Sequence, residues 1–215
     1  MNGSTINYSD GDMPERLIIF ARNIIHGRVK TRIAEKAGLD IAREVYELLF
    51  INTMQILSSL PTHIQPVIYY SDFKETLDIT PSTRIRSELQ EGIDLGERMA
   101  NSIKKEIEYG ARKVCIIGTD IYDLSAEIIV NAFNKIQDNQ VIIGPATDGG
   151  YYLIGVCDLK PEIFSDIKWS KSTVLSETIK RIENIGMQYQ LLEYLNDVDE
   201  YEDIPDEIKN KLNLK

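Results

Sequence analysis

Apolar runs alternate with longer amphipathic segments along this 215-residue chain. Six of the apolar runs predict β-strands, at Leu17–Ala21, Pro66–Tyr70, Lys113–Gly118, Val141–Gly144, Tyr151–Val156 and Gln188–Leu192. The runs RLIIFA, KVCIIG and QVIIG are apolar throughout rather than alternating, which is typical of strands that are covered on both faces. They predict a mainly parallel sheet between two layers of helices.

Four amphipathic segments lie between the apolar runs and predict helices. Asp40 is expected to cap the first of them, which has an apolar stripe from Ile41 to Ile56 and should end near Pro61. The others are Leu95–Tyr109, closed by Gly110, Ala126–Ile136, capped by Ser125, and Thr173–Ile185, closed by Gly186. This order predicts a three-layer α/β/α sandwich around a Rossmann-like mixed sheet, with a reversed strand in the Val141–Val156 region.

The chain is acidic, with a net charge of -10 and an isoelectric point of about 4.8. Such a surface repels nucleic acid and anionic membranes, so we expect neither as a partner. No apolar run reaches the roughly 20 residues that a transmembrane helix needs. Residues 1–14 are polar and predict a flexible tail rather than a signal peptide, followed by a single domain over residues 15–215. Together these features predict a cytoplasmic protein.

Positive charge is concentrated directly after the first predicted strand. The stretch FARNIIHGRVKTRIA carries Arg22, Arg28, Lys30 and Arg32 in a chain that is otherwise acidic. Ligands of open α/β sheets bind at the carboxyl ends of the strands, and Gly27 would permit a tight loop there. A diphosphate would suit these charged donors. The alternative is a solvated basic turn that pairs with surface carboxylates.

Carboxylates follow two other predicted strands. Asp120 comes after Lys113–Gly118, and the segment LNDVDEYED after the last strand supplies Asp197 and Asp199. A pair formed by Asp120 and Asp197 would hold Mg²⁺ or Mn²⁺ beside a substrate phosphate, because these cations prefer oxygen ligands. The alternatives are that Asp120 only caps a turn and that the late segment is an acidic surface patch.

The segment GPATDGGYYLIG combines a turn signal, Asp148-Gly149-Gly150, with two tyrosines. A hairpin alone explains the turn but not the aromatic side chains beside it. Asp148 is therefore a candidate to accept hydrogen bonds from sugar hydroxyls or to act as a general base toward an acceptor hydroxyl. Trp169, in DIKWSKSTVL, either lines a pocket or belongs to the core.

Taken together and in this order, the motifs resemble a family of nucleotide-diphospho-sugar transferase-like proteins. The motifs are FARNIIHGRVKTRIA, QEGIDLGERM, IIGTDIYDLS, VIIGPATDGGYYLIGV, KWSKSTVLSETI and LNDVDEYED, and the resemblance covers roughly residues 17–204. Members are described as glycosyltransferases or as radical-SAM/selenodomain-associated transferases. Their relatives include phospholactate and molybdenum-cofactor guanylyltransferases. The resemblance implies a GT-A type fold.

The resemblance also implies roles for individual positions. Asp120 and Asp197 match the metal-binding acidic positions, and Lys30 and Asp148 are the candidate catalytic residues. The resemblance matches the phosphate-binding loop to Ala21, Arg22, Gly27, Lys30 and Arg32, and the turn on the substrate side to Asp148, Gly149 and Gly150. With Arg28 and Thr31, whose side chains suit a phosphate, the candidate nucleotide-binding positions are Ala21, Arg22, Gly27, Arg28, Lys30, Thr31, Arg32, Gly149 and Gly150. Two departures stand out: His26 replaces a proline, and Ile121-Tyr122 replaces a Cys-Pro pair.

The sequence thus predicts a metal-dependent transferase that passes a group from a nucleotide-activated donor to a small-molecule acceptor. Glycosyl transfer from a nucleotide sugar is the first hypothesis. A guanylyltransferase-like nucleotidyl transfer to a phosphorylated small molecule uses the same parts and is the alternative. A third hypothesis is a nucleotide- or phosphosugar-binding protein without turnover, which the two departures motivate. The base, the sugar, the acceptor and the oligomeric state do not follow from the sequence.

Overall fold

The computed structural model describes residues 13–75, 77–80 and 83–214. Residues 1–12 of the predicted tail therefore lie outside the described part. Within it, the strands are β1 Glu15–Ala21, β2 Ile64–Tyr70, β3 Leu77–Thr80, β4 Thr83–Leu89, β5 Lys113–Ile117, β6 Gln140–Pro145, β7 Tyr151–Val156 and β8 Gln188–Leu191. The α-helices are α1 Thr31–Ala37, α2 Leu39–Leu57, α3 Leu95–Glu108, α4 Ala126–Lys135, α5 Val174–Asn184 and α6 Asp206–Lys211.

The strands form a mixed sheet in the order β3-β4-β2-β1-β5-β7-β6-β8. Neighbouring strands β4, β2, β1 and β5 are parallel, and β6 is parallel to β8. Strand β7 runs against both β5 and β6, which confirms the reversed strand predicted in the Val141–Val156 region. As a consequence, the carboxyl ends of β1, β2, β4, β5 and β6 meet along one edge of the sheet.

Helices cover both faces of the sheet, as the unbroken apolar runs predict. In β1, Leu17 and Ile19 belong to the core shared with α2 and α4, whereas Ile18 belongs to the core shared with α3 and α5. All three side chains are fully buried. A smaller third cluster joins α1, α2 and α6 around Ile33 and Val45. The three-layer α/β/α sandwich is confirmed.

The sequence patterns did not predict two of the strands, β3 and β4. Strand β4 reads TRIRSEL, in which charged and apolar residues alternate, and β3 pairs with it in antiparallel fashion at the border of the sheet. A strand near an edge needs only one apolar face, so it lacks the continuous apolar run that identified β1 and β5. The predicted cap of α2 is wrong: Gly38, with φ 89°, stands between α1 and α2, and Asp40 lies in the first turn.

The remaining predicted boundaries agree with the structure. Helix α2 ends at Leu57, before Pro61, and the Ser125 side chain accepts a hydrogen bond from the Ile128 N–H at 3.3 Å. Among the helices in the described ranges, none is both long enough and apolar enough to cross a bilayer.

A cluster of ion pairs connects β4 to α3. These two elements bring Gln90 and Arg98 to the carboxyl edge of the sheet. The Glu88 carboxylate accepts hydrogen bonds from Lys74, Arg86 and Lys105 at 2.7, 3.0 and 2.9 Å. Burial by itself would raise the pKa of Glu88, but these three cations outweigh it and lower that pKa to about 2.

We expect Glu88→Gln to lower the free energy of unfolding at pH 7 by roughly 1–3 kcal/mol, the range for charge-assisted hydrogen bonds. Because the pKa of Glu88 is lower in the folded chain, its contribution is present above about pH 4.5 and lost toward pH 2. Urea denaturation at several pH values should therefore show the difference from wild type shrinking below pH 4.5. Glu47→Gln, which removes an exposed pair with Arg43, is the control and should cost under about 0.5 kcal/mol.

Candidate functional site

A cavity of about 670 Å³ opens at the carboxyl ends of β1, β2 and β5. Its floor is formed by residues that end these strands, including Ala21 and Ile117, and α3 contributes Leu95, Arg98 and Met99 to its wall. The cavity lies where open α/β sheets bind ligands. The loop after β1 and the loop after β5 face each other across it.

The loop after β1 supplies the positive charge of the cavity. Arg22, Arg28 and Lys30 line it, together with Arg98 from α3. Lys30 adopts a left-handed backbone conformation, with φ 48° and ψ 50°, directly before α1. Its side chain is only 6% exposed and forms an ion pair with Asp120. Such a conformation is unfavourable for a residue with a Cβ, so the surroundings must hold Lys30 in place.

Tyr46 of α2 holds the two loops together. Its hydroxyl accepts a hydrogen bond from the Arg22 N–H at 2.8 Å and donates one to the Arg22 carbonyl oxygen at 3.0 Å. It also accepts a hydrogen bond from the Thr119 hydroxyl at 3.3 Å, next to Asp120. Burial raises the pKa of Tyr46 to about 12, so the hydroxyl keeps the proton that it donates. One side chain thus fixes both edges of the cavity floor.

A second, smaller cavity of about 150 Å³ adjoins the first and contains the acidic residues. Asp120, Asp148 and Asp197 line it, and Tyr151 and Tyr152 line both cavities. Asp197 reaches this place because Ile121 and Asp197 form an antiparallel β-bridge, and the Val198 N–H donates to the Asp120 carbonyl oxygen at 2.9 Å. The two acidic segments are therefore in backbone contact although Ile121-Tyr122 stands at the expected Cys-Pro positions.

The three carboxylates carry excess negative charge. Burial, followed by the charge of Asp148 and that of Asp199, raises the pKa of Asp197 to about 6, and Lys30 opposes the shift. A cation between Asp120 and Asp197 would offset this charge, and carboxylate oxygens are suitable ligands for Mg²⁺ or Mn²⁺. In the described part of the chain, no group of three or more His, Cys, Asp or Glu side chains is arranged to hold a metal ion. A cation held by Asp120 and Asp197 alone would therefore need its remaining ligands from substrate phosphate or water.

The Asp-Gly-Gly turn positions Asp148. The Gly150 N–H donates to Asp148 Oδ1 at 2.7 Å, which orients the carboxylate. Gly149 has φ 92°, and a Cβ at this position would lie 2.1 Å from the Ser172 carbonyl oxygen. The Leu175 N–H donates to the Gly149 carbonyl oxygen at 2.8 Å, so the first turn of α5 packs directly on the turn. The glycine is required here for both its backbone conformation and its lack of a side chain.

The structure brings most of the predicted site residues together. The large cavity is lined by Ala21, Arg22, Arg28, Lys30, Thr31 and Asp120, and the small cavity by Asp120, Asp148, Gly150 and Asp197. Gly27, Arg32 and Gly149 line neither cavity. The Arg32 guanidinium lies 2.6 Å from the Asp199 carboxylate instead. His26 contacts Asp40 at 3.2 Å at the exposed end of the basic loop.

Other residues of the site were missed by the sequence analysis or left open. Trp169 does line the large cavity, and its buried indole N–H has no hydrogen-bond partner among the described residues. Tyr46 and Arg98 were missed, as was Asn23, which accepts hydrogen bonds from the N–H groups of Asp72 and Phe73 at 3.0 and 3.2 Å. Tyr46 lies within the apolar stripe of α2 and is buried. A buried tyrosine usually has a hydrogen-bond partner for its hydroxyl, and this feature of the sequence could have indicated its role.

Comparisons with known proteins agree with this fold. Residues 60–171 match the sequence profile of a family described as uncharacterized protein conserved in bacteria, DUF2064. A crystal structure from Desulfovibrio desulfuricans G20, provisionally assigned as a nucleotide-diphospho-sugar transferase, is 31% identical with a TM-score of 0.78, over 86% of this chain and 82% of that one. None of the curated proteins matches the chain.

More distant structures share only the fold. A cytidylyltransferase from Leptospira borgpetersenii is 14% identical with a TM-score of 0.57, over 89% of this chain and 83% of that one. A Methanothermobacter nucleotidyl transferase is 12% identical with a TM-score of 0.53, over 92% and 99% of the two chains. Sequence identities this low support a shared architecture and give no information on the reaction.

Gly149→Ala is expected to destabilise the protein more than Gly186→Ala does. Both glycines have positive φ, but open space surrounds Gly186, whereas backbone atoms of Ser172 block a Cβ at Gly149. Gly186→Ala should cost roughly 1 kcal/mol, the penalty of the backbone conformation. Gly149→Ala should cost at least about 2 kcal/mol more, because the turn must move away from α5. Equal costs in urea denaturation would contradict the described packing.

Tyr46→Phe removes the hydroxyl while keeping the ring. We expect a loss of roughly 1–3 kcal/mol of unfolding free energy, since buried partners in Arg22 and Thr119 lose their hydrogen bonds. We also expect faster hydrogen exchange of the Arg22 amide, measured by NMR. Tyr194→Phe, at a side chain that is 58% exposed, is the control and should change neither quantity.

Proposed function

This chain belongs to the DUF2064 family, and we propose that it is a transferase that uses a nucleotide-activated donor. The observation that carries the proposal is the arrangement of one cleft. A basic loop at the end of β1 faces carboxylates at the end of β5, across a cavity large enough for a nucleotide. The assignment of the 31% identical relative as a nucleotide-diphospho-sugar transferase supports the same reading.

The basic residues of the large cavity are suited to a diphosphate. Arg22 and Arg28 are exposed at the surface of the cleft and can form charge-assisted hydrogen bonds with phosphate oxygens. Lys30 is buried, and a buried ammonium needs an anionic partner. Asp120 is that partner, and a donor phosphate would share the role.

We propose Mg²⁺ or Mn²⁺ as the cofactor, held by Asp120 and Asp197. When bound, such a cation neutralises charge that develops on the departing phosphate. Lys30 contributes to the same stabilisation, because its ammonium is fixed before the substrate arrives.

We propose glycosyl transfer as the reaction. The bond between the sugar C1 and the diphosphate oxygen breaks, and a bond forms between C1 and the acceptor oxygen. The nucleoside diphosphate leaves with the electron pair of the broken bond. Asp148 takes the acceptor's proton, since one of its oxygens is held by the Gly150 N–H and the carboxylate is otherwise exposed in the small cavity.

Nucleotide binding tests the proposal directly, because Trp169 is the single tryptophan of the chain and lines the large cavity. We expect UDP, GDP, CTP or GTP to change its fluorescence, with tighter binding when Mn²⁺ is present. Asp120→Asn should weaken the Mn²⁺-dependent part by roughly tenfold or more. Asp158→Asn, at an exposed aspartate paired with Lys160, should leave binding unchanged. No binding of any nucleotide, or wild-type binding by Asp120→Asn, would contradict the metal-bridged donor site.

Product analysis then separates the reactions. Glycosyl transfer releases a nucleoside diphosphate from a nucleotide sugar, whereas nucleotidyl transfer breaks the bond at the α-phosphorus of a nucleoside triphosphate and releases pyrophosphate. Mass spectrometry of both mixtures distinguishes these outcomes. Nucleotide binding without either product would favour the binding-protein hypothesis.

A further inference from the structure

The two adjoining cavities differ in charge. The large cavity has basic residues in its lining, Arg22, Arg28, Lys30 and Arg98, beside its acidic ones. The small cavity is lined by three aspartates and by no lysine or arginine among the described residues. All positive charge that faces the cleft therefore lies on the side proposed to bind the donor.

The lysines on the neighbouring segments do not line the small cavity either. Lys30 is 94% buried at its side chain and is engaged with Asp120. Lys171 is exposed and precedes Ser172, which packs on Gly149, but it does not line the cavity. Tyr152 donates its hydroxyl proton to the Glu193 carbonyl oxygen at 3.1 Å, so it is committed as a donor. The small cavity thus offers three carboxylates as acceptors and no cationic side chain in its described lining.

We propose that the acceptor enters the small cavity with a hydroxyl-bearing or ammonium-bearing end that carries no phosphate. A phosphate group there would face Asp148 and the neighbouring carboxylates, with no lysine or arginine in the described lining to pair with it. A metal ion between Asp120 and Asp197 would not reverse this, because the diphosphate of the donor brings further negative charge to the same ion. A hydroxyl or an ammonium, by contrast, can donate to Asp148.

The inference rests on the proposed function, since it concerns the acceptor of that transfer. The inference also distinguishes the two reactions considered for the proposed transferase, because nucleotidyl transfer to a phosphorylated molecule requires an acceptor phosphate near the cleft. A site built for such a molecule would be expected to place an arginine or lysine beside the acceptor. In this chain those residues line the other cavity.

Binding of matched pairs of compounds tests the inference. The pairs are glycerol and glycerol 3-phosphate, glucose and glucose 6-phosphate, and ethanolamine and phosphoethanolamine. Saturation-transfer NMR is recorded with the full-length protein, with Mn²⁺ replaced by diamagnetic Mg²⁺, both with and without UDP. We expect at least one unphosphorylated compound to bind and to bind at least fivefold more tightly than its phosphorylated partner. Equal or tighter binding of the phosphorylated partner, or no binding of any unphosphorylated compound, would overturn the inference.

Two variants locate the effect. Asp148→Lys should reverse the preference within a pair by placing a cation in the small cavity, and circular dichroism checks that the variant is folded. Asp148→Asn keeps an oxygen for the Gly150 N–H and should reduce the preference. Lys171→Ala is the matched control and should leave the preference for the unphosphorylated compound unchanged. A change in that preference on this substitution would count against the assignment of the effect to the small cavity.

The result of the paired-compound measurements does not depend on the result of the nucleotide-binding test. If nucleotides change Trp169 fluorescence but phosphorylated compounds bind better, the acceptor inference fails and the donor site stands. If no nucleotide binds, the proposed function fails, and the paired measurements without UDP still decide whether the small cavity discriminates against phosphate.

Discussion

The ion pair between Lys30 and Asp120 is the contact on which the arrangement of the cleft depends. Lys30 is nearly buried, whereas Asp120 is half exposed, so the pair lies at the boundary between the core and the cavity. A buried ammonium without a partner is strongly unfavourable, and the left-handed backbone at Lys30 adds a further cost. The pair therefore binds the loop after β1 to the end of β5. It also leaves a charged group that can be shared with an incoming phosphate.

The surrounding contacts explain how the pair is held in place. Tyr46 bonds both backbone polar groups of Arg22 and the hydroxyl of Thr119, so the segments that carry Lys30 and Asp120 are fixed by one side chain. On the far side, the bridge between Ile121 and Asp197 brings the last acidic segment to the same place. The result is a cleft with basic residues on one side, carboxylates on the other and the ion pair between them.

Much of this fold follows from local sequence, because β1, β5 and β6 are buried on both faces and show it as continuous apolar runs. The convergence of Lys30, Asp120, Asp148 and Asp197 at one edge follows from the parallel order of the strands. Other features depend on contacts between distant segments. Tyr46 and Arg22 are 24 positions apart, and the sequence of α2 does not show which groups the Tyr46 hydroxyl contacts. Arg32 does not line the cavity and pairs with Asp199 at its edge, because α1 begins at Thr31 and successive helical residues point in different directions.

We propose that Asp120 and Asp197 share a cation with the diphosphate of a nucleotide while Arg22, Arg28 and Lys30 bind the phosphates. A crystal structure with UDP and Mn²⁺, with diffraction data collected at the manganese absorption edge, tests it most directly. We expect an anomalous peak within coordination distance of both carboxylates and of a phosphate oxygen, with the diphosphate against the loop after β1. A nucleotide bound elsewhere, or manganese that contacts neither aspartate, would contradict it.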